Sequence, residues 1–395
     1  RLLSMKILIV EPNGAGHHMA LYVRHVVRKL IAEEWEVSLL TTRTAVEHPS
    51  FQLLADEHEK INILFLPELP TKDGHASWEL FKQQTKCWFI LRREFAKIQP
   101  QSDFDIVYVP TVDWMAKAME VFGSPFGSSP LVALYMSPKH HRKAMGLGPS
   151  SRQDWLYKKM FQHLLRVPTL RSVLVIDEFF HKYCKLEYGE LAQKVEYVPD
   201  FGEIRGVGTK DECRDSLGVF FKSKVLLVYG ALTKRKGIVQ LLRALDNPRC
   251  PPEITVVLAG KADKEIESYL ATDNIRKLIS EGRIIPRFFF HDDTDEYRVF
   301  KAADFVWLGY VGGFYGSSGV LFQALQAGVP LVAMEQGLVG RIVKKYMLGV
   351  VVNPMQVESI LHGLVHIASS KKNGFNSNYH TTNGFAKSHT ALGHT

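Results

Sequence analysis

At 395 residues the chain is longer than one hydrophobic core usually serves, so two domains are expected. Its 46% hydrophobic and 23% charged residues fit a globular protein, and no apolar run reaches transmembrane length. A formal net charge of +8 favours an anionic partner such as a nucleotide, a nucleic acid or an acidic lipid surface, without choosing among them. Cys87, Cys184, Cys213 and Cys250 form no C-x-x-C pair and stand near no histidine group, a pattern that argues against a disulfide scaffold and a zinc site. The first apolar run, Met5–Val10, starts almost at the first residue, so no signal peptide is expected and the location reads as cytoplasmic.

In chain order, short buried strands alternate with amphipathic helices. Strand patterns occur at Lys6–Val10, Glu36–Leu40, Ile61–Leu66, Asp105–Val109, Leu131–Tyr135 and Ser172–Ile176. Helical spacing occurs at Met19–Glu33, Trp78–Ile98 and Trp155–Arg166. The glycine-rich stretch Val198–Thr209 reads as a linker. Beyond it, strands are expected at Lys224–Tyr229, Ile254–Leu258, Arg287–Phe290, Phe305–Leu308, Leu331–Met334 and Val350–Val352. Helices are expected at Ile238–Leu245, Tyr297–Ala302, Gly319–Ala327, Val339–Tyr346 and Gln356–Ala368. This rhythm implies parallel, doubly wound sheets in two domains, residues 1–200 and 201–368, followed by a low-complexity tail, 369–395, expected to be disordered. Ligands of such sheets sit beyond the carboxyl ends of the strands.

Three loops after strands could carry chemistry. Gly309-Tyr-Val-Gly-Gly-Phe-Tyr-Gly-Ser-Ser-Gly319 runs from a strand into a helix, and a glycine- and serine-rich helix N-terminus offers unpaired N–H groups to a phosphate. Tyr229-Gly-Ala-Leu-Thr-Lys-Arg-Lys236-Gly237 puts three cations on one loop, suited to a phosphate leaving group. Gly14-Ala-Gly16-His17-His18 is a small-residue turn after the first strand. It is not a full G-x-G-x-x-G, and no acid ends the second strand, so a dinucleotide site is disfavoured.

In their order and spacing these residues resemble the GT-B fold glycosyltransferases of the retaining family-4 type, over the chain up to about residue 368. That family shows G-R-L-x-x-x-K-G, then E-x7-E, then A-x-A-x-G-x-P; here stand Gly230–Gly237, Tyr315–Gln323 and Ala324–Pro330. The resemblance implies two Rossmann-like domains facing across a cleft, with the acceptor in the N-terminal half and a UDP- or GDP-sugar in the C-terminal half. By the same resemblance Lys236, helped by Arg235, meets the leaving phosphate. Gly14 and Gly16 approach the donor, Gly316, Ser317, Ser318 and Gly319 hold the diphosphate, Gln323 the ribose, and Tyr315 faces the sugar. His291 could face the base or ribose. The departures are Ala231, Tyr315, Gln323 and Arg341, where the family carries an arginine and three glutamates.

The expected activity is sugar transfer to a saccharide, lipid-linked or small-molecule acceptor, with retention, no cofactor and no metal. Two alternatives stay open: an inverting enzyme with His17 or His18 as base, oriented by Asp113, and a non-catalytic binding protein on the same fold. His140, His141 and Arg142, with Trp155, Lys158 and Lys159, form a basic and aromatic group that could meet the acceptor or the face of an anionic membrane.

Overall fold

Continuous apolar runs such as Leu226–Tyr229 and Ile254–Ala259 can be buried on both faces only inside a parallel sheet covered by helices. A computed structural model shows this arrangement twice, and it describes residues 4–14, 18–52, 54, 59–70, 77–101, 103–220, 222–288 and 293–370. The chain divides into two compact units, residues 1–145 with 149–199, and residues 146–148 with 200–395.

The first unit contains β1 (Lys6–Val10), β2 (Glu36–Thr42), β3 (Ile61–Leu66), β4 (Ile106–Val109), β5 (Leu131–Tyr135), β6 (Leu170–Val175) and β7 (Val195–Tyr197). They form one seven-stranded parallel sheet in the order β3-β2-β1-β4-β5-β6-β7. Its helices are α1 (Arg24–Ala32), α2 (Arg43–Glu47), α3 (Pro49–Gln52), α4 (Ser77–Ile98), α5 (Ala116–Phe122), α6 (Asp154–Leu165) and α7 (Glu178–Glu187). A π-helical stretch, His18–Val23, leads into α1. One apolar layer, with Leu8, Val10, Phe95, Phe126, Phe161 and Phe180, lies on one side of this sheet; another, with Ile7, Ile9, Met19, Val27 and Leu39, lies on the other.

The second unit contains β8 (Lys224–Tyr229), β9 (Ile254–Ala259), β10 (Ile284–Arg287), β11 (Phe305–Leu308), β12 (Leu331–Met334) and β13 (Gly349–Val352), ordered β10-β9-β8-β11-β12-β13 and all parallel. Its helices are α8 (Lys210–Leu217), α9 (Ile238–Leu245), α10 (Lys264–Leu270), α11 (Asp273–Ser280), α12 (Asp293–Ala302), α13 (Gly319–Gln326), α14 (Gly337–Lys345) and α15 (Val357–Ser369). The strand expected at Arg287–Phe290 lies three residues earlier. Ile284 and Ile285 are buried and pair with Val256 and Val257, whereas Phe288 is exposed. Pro286 is tolerated there because β10 is the sheet edge.

The glycine-rich stretch read as a linker is in part packed onto α13. A Cβ at Gly202 would stand 2.5 Å from the Phe322 carbonyl oxygen, and Ile204 N donates to Gln326 Oε1 at 2.9 Å. The tail 371–395 lies outside the described residues.

Candidate functional site

Strand order reverses between β8 and β11 in the second unit and between β1 and β4 in the first. Loops leaving such neighbouring strands diverge to opposite faces and leave a crevice at their carboxyl ends. In the second unit these loops are Gly230–Gly237 and Gly309–Ser318, and they are stitched together. Val311 N donates to the Arg235 carbonyl at 2.8 Å, and Trp307 Nε1 to the Lys236 carbonyl at 2.8 Å. Gly237 has φ +66°, and a Cβ there would stand 2.1 Å from the Gly309 carbonyl oxygen, so only glycine allows this approach.

Lys236 ends a turn of 3-10 helix, Lys234–Lys236, and is buried. Its Nζ donates to the Tyr229 carbonyl and stands 5.7 Å from the Tyr310 ring centre. Burial, with Arg235 adding to it, pushes its ammonium down to about 8. Arg235 is exposed and lies 5.2 Å from the Phe314 ring centre, while Lys234 reaches Glu265 at 2.7 Å. Tyr310 and Ser318 share a hydrogen bond of 2.8 Å, so the Ser318 hydroxyl does not cap α13. The N-terminal amides of α13 therefore have no side-chain cap. Ser317 Oγ and Gln323 Oε1 are both buried without a hydrogen-bond partner. Gly316 and Gly319 are half-buried, and the carbonyl of the half-buried Tyr315 accepts from Leu338 N at 3.0 Å.

One turn into α13, Gln323 Nε2 donates to the carboxylate of Glu296 on α12, which also accepts from the Tyr229 hydroxyl at 2.7 Å. Burial pushes Glu296 up to about 7. Sequence reading missed Glu296, because nothing in a helix pattern marks which exposed-looking acid turns inward. His291 and Asp292 lie outside the described residues, and α12 begins at Asp293.

In the first unit the residue that follows β1 is Glu11, a fully buried carboxylate that accepts from the Thr111 hydroxyl and from Asn13 N at 2.9 Å. Its Oε2 stands 3.7 Å from His18 Nδ1, and burial pushes it up to about 7. Glu11, not Asp113, is thus the acid beside His18. Asp113 is turned to the end of β5, where its two oxygens accept from Met136 N and Ser137 N at 2.8 Å each. An acid directly after the apolar run Lys6–Val10 was the available signal for Glu11. A Cβ at Gly14 would meet the Ala45 carbonyl oxygen at 2.7 Å, so this glycine serves the close approach of α2. Gly16 and His17 lie outside the described residues.

The basic and aromatic group expected at the surface is corrected in part. His140 and His141 are buried: His140 Nε2 bonds Tyr188 Oη at 2.8 Å, and His141 Nε2 bonds Asp177 Oδ2 at 2.9 Å. Asp177 also caps α7 through Phe179 N and Phe180 N, so the pair ties a loop to a helix start. Burial pushes His140 down to about 3 and leaves it neutral. Arg142 is half-buried and Lys158 pairs with Glu187, whereas Trp155 and Lys159 are exposed. Among the described residues no helix is long and apolar enough to cross a membrane, and no group of His, Cys, Asp and Glu is placed to hold a metal ion.

Residues 209–376 match the family described as Glycosyl transferases group 1. The second unit carries a group 1 glycosyltransferase match. An uncharacterized glycosyltransferase of Methanocaldococcus jannaschii, MJ1607, is 31% identical over 156 residues, which are 40% of this chain and 38% of that protein. The match thus spans under half the length of that curated relative. Among solved structures, Anabaena HepE in complex with UDP aligns with TM-score 0.68 at 17% identity, covering 98% of this chain and 97% of that one. Sucrose-phosphate synthase from Thermosynechococcus elongatus aligns with TM-score 0.67 at 16% identity, covering 98% and 94%. At these identities the likeness establishes the fold: two Rossmann-like domains of GT-B type.

Proposed function

We propose that the protein is a glycosyltransferase that moves a sugar from a UDP- or GDP-sugar to a saccharide, lipid-linked or small-molecule acceptor. The observation that carries this reading is the junction of the loops that follow β8 and β11. There the buried ammonium of Lys236 lies on the loop stitched to the one leading into α13, whose uncapped start carries two unpartnered buried oxygens, Ser317 Oγ and Gln323 Oε1. Helix-terminal amides and an ammonium suit a diphosphate; a buried amide oxygen suits a ribose hydroxyl. The family match over 209–376 and the UDP held by the HepE neighbour support the same donor class.

Such a site stabilises a leaving nucleoside diphosphate as charge builds on it, and catalysis is then positioning plus charge stabilisation. In this reading Lys236 and Arg235 meet the phosphates, Gly316–Gly319 line them, and Tyr315 takes the sugar side. Retention follows from the family resemblance. Inversion is the second reading, favoured by His18 lying beside the buried Glu11, which could orient a base. The anomeric configuration of the product, read by proton NMR, separates the two. Calorimetric titration with UDP and GDP tests the donor site itself: binding of one is expected, and an intact protein that binds neither rejects the reading.

A further inference from the structure

Glu296 is a half-buried carboxylate for which the proposed transfer has no use, and it grips the side chain that would meet the ribose. An ionised carboxylate only accepts hydrogen bonds, so it can hold only the NH₂ end of an amide. Its bond to Gln323 Nε2 therefore fixes the direction of the other end, and Gln323 Oε1 is the atom left buried without a partner. A buried acceptor lacking a donor is costly, and a ligand hydroxyl would relieve that cost.

We infer that Glu296 is a positioning residue: it orients the Gln323 amide so that Oε1 accepts a hydrogen bond from a ribose hydroxyl of the bound nucleotide. The inference rests on the nucleotide reading of this crevice. It also explains how an uncharged residue can act where the related family carries a glutamate. The negative charge stands behind the amide, on α12, and the amide relays its polarity. Tyr229 joins this device to the phosphate side, since its hydroxyl donates to Glu296 while its carbonyl takes the Lys236 ammonium.

The arrangement depends on the charge of Glu296. Burial raises its carboxyl, Asp293 on its own helix and Glu203 ahead of α8 raise it further, and the bonds from Tyr229 and Gln323 oppose them. From α8, Lys210 and Arg214 turn instead to Asp304. A protonated Glu296 can donate as well as accept, so it no longer fixes which end of the amide faces the ligand. Preference for ribose should therefore strengthen as pH rises through about 7.

Calorimetry on the intact protein tests this with UDP and GDP, their 2′- and 3′-deoxy counterparts, and pyrophosphate. Wild type should bind the ribose form about tenfold more tightly than a deoxy form. Taking this ratio at each pH cancels the titration of the phosphates. In Glu296→Gln the new amide can donate as well as accept, so the ratio should fall towards one and lose its pH slope. Pyrophosphate affinity and melting temperature should hold. The exchange variant E296Q/Q323E, with the carboxylate moved to α13 and the amide to α12, should recover the preference. A Glu296→Gln protein that keeps the wild-type ratio and slope overturns the inference, as does a wild type that binds nucleotide without ribose preference. A wild type that binds neither nucleotides nor pyrophosphate overturns the nucleotide reading beneath it.

Discussion

Lys236 is an ammonium kept where burial disfavours its charge, with one N–H donated to the Tyr229 carbonyl in a hydrogen bond. Its charge is present below about 8 and is lost as pH rises through that value. Turnover should consequently fall on the alkaline side of about 8, whereas Lys236→Arg, always protonated, should shift that limb upward. Lys236→Ala should lower kcat/KM by roughly 10²-fold or more, as loss of a leaving-group contact does. Initial rates across pH with whichever nucleotide sugar binds check both, and an unchanged rate for the alanine variant would show that the phosphate is held elsewhere. At this scale the sequence was informative about backbone-near chemistry and poor about buried acids. The loop glycines and Lys236 are marked by their place after strands. Glu11 and Glu296 matter because of what surrounds them, and the partners of Asp113 are not legible from its place along the chain, which says nothing about which amides it meets.

Among the elements, α8 shows how a short helix is held at the start of the second unit. Thr209 and Glu212 form a capping box, and Gly218 closes the helix in a left-handed conformation, φ +70°. Its Lys210 and Arg214 both reach Asp304, which also accepts from Val225 N at 2.9 Å, so one carboxylate ties α8 to the starts of β8 and β11. Burial alone would raise Asp304, but Lys210, the Val225 amide and Arg214 bring it below the usual carboxylate range. Because its folded value is depressed, the stability it contributes is complete above the ordinary aspartate range and is lost as pH falls through the lowered value. Asp304→Ala should destabilise the unit by about 3 kcal/mol, since it leaves the buried Arg214 without its carboxylate. Denaturant melts at neutral and acid pH should show the gap from wild type closing towards acid; a gap that stays constant would mean that packing, not charge, explains the loss. The capping box is written in the sequence as T-x-x-E, yet α8 is not among the expected helices, because only Cys213 and Leu217 supply apolar spacing. Strands buried on both faces, such as β8 and β9, were legible because they need nothing but length and apolarity. The edge strand β10 was not, since a proline and a following aromatic blur its limits.

On the scale of the molecule, two sheets with the same kind of reversal place their candidate chemistry at equivalent points, after β1 and β4 in one unit and after β8 and β11 in the other. The βαβ rhythm announced both sheets, whereas the order of strands had to come from the structure. That order has a consequence for how the chain is made. β8 is a central strand: Leu226 pairs with Val256 on one side and with Phe305 on the other, so its second neighbour is the later to be synthesised. Until β11 arrives, one whole edge of an apolar strand stands open, a template on which a second chain can pair. Chains cut between residues 264 and 304 should therefore sediment as aggregates, and chains cut after 370 should stay in the supernatant. Soluble monomers from the first set would show that α9 or another segment shields that edge. The same reversal that opens a crevice for a ligand thus sets a vulnerable interval during synthesis, timed by the distance from Leu226 to Phe305 along the chain.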